Sequence, residues 1–448
     1  MKRVIQRRKS RVLGGVLFFL CLQGAVAQGQ EAVRAESAPG AAVDEQPAAL
    51  PLDDLRKFTE VFSRIKDAYV EDVTDQQLLE SAIKGMLSGL DPHSAYLEPQ
   101  EYEQLEESTT GEFGGLGIEV GTEDGFVKVI APIDDTPAER AGVQAGDLII
   151  KLDDEPVKGM SLQDAVSRMR GKPGTTITLT IIRDGESAPL EIEVERAVIQ
   201  VTSIKSRMLE PGYGYIRITQ FQDETGRQFI DAIKALMSEH GGTLDGLIVD
   251  VRNNPGGILQ AAVATSDALL DEGLIVYTEG RIQSSRLRFS AKAGDVSEGT
   301  PIVVLINGGS ASASEILAGA LQDHERAVIM GTQSFGKGSV QTVIPLDETH
   351  AIKLTTARYY TPDGRSIQAR GIAPDIEVRP ATLTEMEGGP MFSEASLSGH
   401  LENGEDGASG KGRQQGGNTE VRNDYQLRSA LNLLKGMNIL GKRGADIE

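Results

Sequence analysis

Three hydroxyl residues and one lysine are the side chains of this chain best placed to do chemistry. Ser310, Ser312 and Ser314 lie in N-G-G-S-A-S-A-S-E (Asn307 to Glu315), and Lys337 lies in F-G-K-G-S-V-Q (Phe335 to Gln341). The serines follow an apolar strand-like run, Ile302 to Ile306, and precede a helical one, Glu315 to Leu321. A helix N-terminus at that turn would aim its free amides at a reacting centre. The amide after a nucleophile can then donate to an oxyanion. Serine attacks a carbonyl only when a neighbour takes its proton. Lysine can do this when neutral, and burial in an apolar pocket lowers its pKa. The glycines flanking Lys337 permit close approach. Gln341 is a polar group that could orient the amine without restoring its charge. Four residues of straight strand span about 13 Å, so Lys337 and Gln341 need a bend or their full reach.

Position favours Ser312 as nucleophile, while Ser310 also reads as a helix cap and Ser314 as a structural hydroxyl. Taken alone, Lys337 reads more readily as a solvated loop lysine. The histidine alternatives are His324, beside Asp323, and His350, near Asp347; both read as surface residues. A second glycine turn, Asp250-Val-Arg-Asn-Asn-Pro-Gly256-Gly257, follows a strand-like run and precedes a helical one. Its amides could supply another oxyanion donor, or it is an ordinary connection. It lacks the lysine of a phosphate loop and the spacing of a dinucleotide fingerprint.

The elements that must position these groups lie in a chain of 448 residues, long enough for two or three domains. Lys2, Arg3, Arg7, Arg8, Lys9 and Arg11 precede a short apolar run, Val12 to Leu22, and Ala25-Val26-Ala27 is a small-residue cleavage site. This pattern predicts a secretory signal cleaved after Ala27, and a periplasmic protein. Cys21, the single cysteine, falls inside it. The mature chain would then have neither disulfides nor thiol chemistry. With five histidines and no cysteine pair, no metal or other cofactor is expected. The net charge of −21 becomes about −27 without the six basic residues of the signal. Such a surface repels nucleic acid.

Composition divides the rest. Residues 28–50 read as a disordered linker. Residues 51–109 form a helical region in which Leu55, Phe58, Val61, Phe62, Ile65 and Ala68 recur at helical spacing. Residues 110–198 carry short strands separated by Glu123-Asp124-Gly125 and Arg183-Asp184-Gly185, with one helix, Leu162 to Arg170. Residues 199–381 alternate apolar strands with helices, an α/β pattern with a largely buried sheet. Residues 382–422 read as a flexible linker. Residues 423–448 hold an amphipathic helix, Tyr425 to Leu440, expected to dock on the N-terminal helices or on another subunit.

The strand-rich segment has a recognisable order. Gly114-Gly115-Leu116-Gly117-Ile118 opens a strand with a glycine-rich loop whose amides can cradle a carboxylate. The strand edge can accept a peptide strand. The helix would cover the groove with Val166 and Met169 pointing in, and A-G-V-Q-A-G-D (Ala141 to Asp147) supplies the next turn. Together these resemble a PDZ domain, with Gly115, Leu116, Gly117 and Ile118 as the carboxylate-binding loop. Singly, Leu116 and Ile118 read as core residues. The ligand implied is the C-terminal tail of another polypeptide.

The chain as a whole resembles the carboxyl-terminal processing, or tail-specific, serine proteases. The resemblance runs from about Leu52 to Val378. It rests on L-D-P-H-S-A-Y-L (Leu90 to Leu97), the PDZ region, D-V-R-N-N-P-G-G, N-G-G-S-A-S-A-S-E, G-T-Q-S-F-G-K-G-S-V-Q and K-L-T-T-A-R-Y-Y-T-P-D-G-R-S-I-Q (Lys353 to Gln368). It implies Ser312 as nucleophile, Lys337 as general base and Gln341 as the lysine-orienting residue. The amide of Ala313 and a glycine of Gly256-Gly257 would form the oxyanion hole. The fold implied is an α+β multidomain one: a helical N-terminal region, an inserted PDZ domain, a crotonase-like α/β serine protease core and a C-terminal helix. Protein substrates, self-association through the terminal helices and an adaptor protein are the expected partners. Arg168 and Arg170 are regulatory candidates that would reach the core. The rival expectations are a non-catalytic PDZ scaffold or chaperone, and a Ser-His-Asp hydrolase of small esters.

Overall fold

The computed structural model describes residues 51–133, 135–382, 397 and 424–445. The expected signal segment, the first linker and nearly all of the second lie outside the described residues. The chain begins with α1 (Leu52–Ala68) and α2 (Asp75–Ser88). Thr74 starts α2 with a reciprocal cap: its hydroxyl accepts from Gln77 N, and its own N–H donates to Gln77 Oε1. The predicted periodicity of α1 is real, yet its Leu55, Phe58, Val61 and Ile65 remain exposed. Then follow β1 (Ala95–Leu97) and α3 (Pro99–Thr110). Sequence reading did not separate α3, which starts on Pro99 and ends at the left-handed Gly111.

The next module comprises β2 (Glu112–Gly115), β3 (Ile118–Glu123), β4 (Phe126–Pro132), α4 (Pro137–Arg140), β5 (Leu148–Leu152), β6 (Glu155–Pro156), α5 (Leu162–Met169), β7 (Thr176–Ile182), β8 (Leu190–Glu195) and β9 (Ala197–Gln200). Its sheet runs β3-β4-β5-β7-β8, which leaves β3 on an edge. β2 and β9 pair as a separate ribbon where the chain enters and leaves. Val129, Ile149, Leu179 and Ile181 fill the core of the module.

The large α/β region contains β10 (Ile204–Glu210), β11 (Tyr213–Ile218), α6 (Thr225–His240), β12 (Gly246–Asp250), α7 (Leu259–Asp267), β13 (Leu274–Gly280), β14 (Arg288–Ser290), β15 (Ile302–Ile306), α8 (Ala313–Asp323), β16 (Ala327–Gly331), β17 (Ser339–Pro345), β18 (Ala351–Tyr360) and β19 (Ile376–Glu377). One sheet has the order β10-β11-β12-β15-β16-β19, parallel from β11 onward. β12 and β15 are continuous apolar runs because both faces are covered. Leu247, Val249, Ile302, Val304 and Ile306 face one way, packing with Phe229, Ile233, Ile316 and Leu317 of the helices. Ile248, Val303, Leu305 and Met330 face the other way and meet Leu427, Ala430, Leu431 and Leu434.

Those last residues belong to α9 (Tyr425–Ala445), the C-terminal helix. Its apolar stripe is spent on the chain's own sheet, not on the N-terminal helices or a second subunit. Polar ties fix it there: Arg252 pairs with Asp424, Gln426 Nε2 donates to Val378 O at 2.6 Å, and Asn438 Nδ2 donates to Asp245 O at 2.9 Å. A second sheet is centred on β18, which pairs with β17, β13 and, from the N-terminal region, β1.

Candidate active site

Two strand–turn–helix connections meet at the ends of β12 and β15. The first is the turn after Asp250. Asn254, fully buried, organises it: Nδ2 donates to Ile218 O, and Oδ1 accepts from Gly256 N at 2.9 Å. The main-chain carbonyl of Asn254 accepts from Ala311 N and from Ser314 Oγ, which joins this turn to the second. Gly256 lies hard against that second turn. A Cβ there would stand 2.7 Å from Ala311 O and 2.8 Å from Ser312 Cβ. A Cβ on Gly257 would meet Phe221 O at 2.0 Å. Glycine is required at both positions for space as well as for their positive φ.

The three serines separate cleanly. Ser310 Oγ donates to Val251 O at 2.7 Å and accepts from Asn307 N, and Ser314 Oγ donates to Asn254 O at 3.0 Å. Both are fully buried braces. Ser312, 7% exposed, caps α8 with φ 55° and ψ −111°. A non-glycine residue in that region costs about 1–3 kcal/mol and persists only where its surroundings hold it. The phenol of Tyr359, whose pKa burial pushes up to about 12, lies beside the Ser312 hydroxyl. Among the described residues the Ala313 and Gly257 amides have no acceptor, whereas the Gly256 amide is taken by Asn254. Of the glycine pair, only the Gly257 amide is left without an acceptor among the described residues.

The holder of Ser312 is Glu315, a residue whose wider role sequence reading missed. Its buried carboxylate accepts four hydrogen bonds. Oε2 takes Ser312 N at 2.8 Å and Lys337 N at 2.9 Å; Oε1 takes Ser334 Oγ and Gly336 N, each at 2.6 Å. One oxygen thus joins the backbone of the strained serine to that of the lysine. An acid at the third position of the helix was a visible capping signal. Its reach to Lys337 was not visible.

The Lys337 side chain is half-buried. Burial lowers its pKa, the charge of Lys353 lowers it further, and Glu315 opposes both. Its amine has no hydrogen-bond partner among the described residues. His93 stands nearby; burial and then Lys337 depress its pKa, against the pull of Asp91. Gln341 follows an irregularity in the β17–β18 ladder between Val340 and Gln341, which supplies the expected bend. Its Nε2 donates to Ser339 Oγ at 3.0 Å and Thr355 Oγ1 at 3.3 Å. The contact anticipated between Gln341 and Lys337 is therefore not made here. The histidine alternatives lie elsewhere: His324 Nε2 bonds to Leu274 O at 2.7 Å, and His350 pairs with Asp347 near the start of β18.

In the strand-rich module Gly117, at φ 79°, leaves no room for a Cβ, which would meet Thr136 at 2.3 Å. Gly115 ends β2, opposite Ala197. Leu116 and Met169, at 3% and 6% exposure, pack in the module's core cluster. Ile118, on the edge strand β3, and Val166 of α5 are partly buried against that core. Arg168 pairs with Glu155 inside the module. Arg170 pairs with Glu107 of α3 and stacks on Phe113. Neither pairs with a residue of the large α/β region.

Comparison with known proteins decides the family. The model of peptidase family S41 matches residues 212–378, that of a PDZ domain 114–194, and that of the activating protease CtpB N-terminal domain 12–101. A carboxy-terminal-processing protease of Bartonella bacilliformis is 49% identical over 384 residues, covering 85% of this chain and 88% of its own. The chain belongs to the carboxy-terminal processing proteases of family S41. This protease is a serine-type peptidase with an inserted PDZ domain. Its relatives include the carboxy-terminal processing protease CtpB of Bacillus subtilis, 36% identical over 74% of this chain and 70% of its own. Among solved structures, a photosystem II D1 C-terminal processing protease is 32% identical and covers 72% of this chain and 92% of its own, with a TM-score of 0.42.

Proposed function

We propose that this protease cleaves polypeptides with a Ser312–Lys337 dyad. Neutral Lys337 takes the Ser312 proton as Oγ attacks the scissile carbonyl. The amides of Ala313 and Gly257 hold the developing oxyanion. Lys337 returns the proton to the leaving amine, and water then hydrolyses the acyl-enzyme. Gln341 orients the lysine as a neutral partner. The observation that carries this reading is the Glu315 carboxylate, which joins the backbones of Ser312 and Lys337 through one oxygen. Catalytic hydrogen bonds in free enzymes are often long and tighten only with substrate, so the unpartnered amine of Lys337 is consistent with a resting site. A serine-directed acylating probe should label the protein and fail on Ser312→Ala. Labelling retained in that variant would refute the assignment and move the test to Ser310 and Ser314.

The PDZ domain would capture C-terminal tails along β3, with Gly117 shaping the carboxylate loop. Deletion of Thr110 to Ala197 separates its two possible roles: a tether loses activity, an inhibitory gate gains it. In the second case Arg168 and Arg170 are the residues to vary first; Arg170 already meets α3. The exposed apolar face of α1 supports self-association through the N-terminal helices. Mass by light scattering, with and without α1, tests it. The basic, apolar leader supports export to the periplasm with cleavage after Ala27, which the N-terminal residue of the mature protein would reveal. An adaptor protein would co-purify with the chain from cells.

A further inference from the structure

Asp91 lies between α2 and β1, and the mechanism above gives it no task. Its carboxylate is nevertheless densely engaged. Oδ1 accepts from His93 N at 2.8 Å, Ser94 N at 3.0 Å and Thr355 Oγ1 at 3.1 Å. Oδ2 accepts from Ser94 Oγ at 2.7 Å, and Ser94 Oγ accepts in turn from Thr355 N at 3.1 Å. The N-terminal region thus grips Thr355 of β18 by both main chain and side chain. The pairing of β1 with Ala351 to Lys353 extends the grip along the same strand.

Thr355 stands opposite Gln341 in the β17–β18 ladder and accepts from Gln341 Nε2 at 3.3 Å. The direction of this chain of hydrogen bonds is forced. An ionised carboxylate has no proton to give, so the single hydroxyl proton of Thr355 goes to Asp91. Only lone pairs then remain for Gln341, which must present its NH₂ edge. The other Nε2 proton goes to Ser339 Oγ at 3.0 Å. Oε1 of Gln341 accepts nothing among the described residues. It is the neutral acceptor that a catalytic amine needs.

We propose that Asp91 is a positioning residue for proteolysis: acting through Thr355, it fixes the orientation of the Gln341 amide and keeps Oε1 available to Lys337. This rests on the reading of Gln341 as the lysine-orienting group. The effect runs through hydrogen-bond direction and not through charge. The influences on Lys337 are burial, Lys353 and Glu315, and Asp91 is not among them.

The test is a double-mutant cycle on the full chain, with kcat and KM measured for an unfolded polypeptide or fluorogenic peptide. Thr355→Val keeps the volume and the strand but removes the bridging hydroxyl. Thr355→Val and Gln341→Ala should each lower kcat on the order of tenfold, the effect of losing one buried hydrogen bond, with KM nearly unmoved. The double variant should lose little more than either single one. Asp91→Asn should lose less than Asp91→Ala, because the His93 and Ser94 amides hold the asparagine oxygen in place. Multiplying losses in the double variant, or wild-type kcat in Thr355→Val beside a slow Gln341→Ala, would overturn the proposal alone. Wild-type kcat in Gln341→Ala would overturn the reading of Gln341 and the proposal with it. If Asp91→Ala fails to fold, Thr355→Val and the cycle still decide.

Discussion

Substitution of Glu315 should damage stability and catalysis together, and the two losses can be sized from its four hydrogen bonds. Glu315→Ala strands Ser312 N, Ser334 Oγ, Gly336 N and Lys337 N. A buried donor left without an acceptor costs about 1–3 kcal/mol. Lys337 is half-buried and its amide can find water, so three donors count, for a loss of roughly 3–9 kcal/mol. That is a large part of the ~5–15 kcal/mol that holds a domain folded. Glu315→Gln is gentler. One amide oxygen can still serve two donors, Ser334 Oγ can turn, and one backbone N–H meets an NH₂ group, for roughly 1–3 kcal/mol. Urea unfolding of both variants reads these values, and peptide hydrolysis across pH reads the site. With Lys337 as the proposed base, the acidic limb of kcat/KM reports its protonation. Glu315 raises the pKa of that lysine, so Glu315→Gln should move the limb to lower pH while depressing the plateau. A site that merely loosened would admit water and move the limb the other way, toward ordinary lysine. An unchanged unfolding midpoint with an unchanged plateau would refute the reasoning.

The strain at Ser312 predicts that Ser312→Gly is more stable than Ser312→Ala by about 1 kcal/mol, both being inactive; equal urea midpoints would count against it. Lys337 is a lysine whose folded pKa lies below its unfolded one. It therefore holds a stability deficit below the folded pKa, which is recovered as pH rises toward the ordinary lysine value of about 10.4. Lys337→Met should melt higher than the parent at pH 6, with the gap closing toward pH 10; a gap independent of pH would show that the lysine pays no burial cost. Truncation before Asp424 removes Leu427, Leu431 and Leu434, each fully or almost fully buried. At about 1.5–3 kcal/mol for each such side chain, the truncated chain should lose several kcal/mol and expose the face of β12 and β15 to dye binding. An unchanged midpoint would mean that α9 is dispensable.

The parts of this protein legible in the sequence are those written locally. The apolar run of β15, the glycine turn and the helical run place Ser312 without tertiary information, and most strands of the PDZ module fall where alternation and turn residues put them. What was not legible depends on residues far apart. Glu315 announces itself as a helix cap, but three of its four donors lie 19 to 22 positions later. The stripe of α9 was plain, yet amphipathicity does not name the surface it covers. The bend that Gln341 required comes from an irregularity against β18, a pairing partner invisible from F-G-K-G-S-V-Q alone.

These gaps share a cause that bears on how the site works. The Ser312 turn is braced by Glu315 from within its own helix and, from segments distant in sequence, by Asn254 of the first turn and Tyr359 of β18 beside the hydroxyl. A residue at φ 55° stays there only because these contacts leave it no alternative. The lysine is held differently. Its backbone is fixed by Glu315, but its amine has no partner among the described residues. Gln341, its expected partner, is held on the opposite side by Ser339 and by Thr355, itself gripped by Asp91. In the proposed site the serine and the oxyanion donors are thus built in advance, and the amine is the member left to be placed. On the proposed reading, control by tail capture or by association of the N-terminal helices would act on that side chain and the strand pair beside it. The connection from Asp91 through Thr355 to Gln341 gives the N-terminal region a physical route to do so.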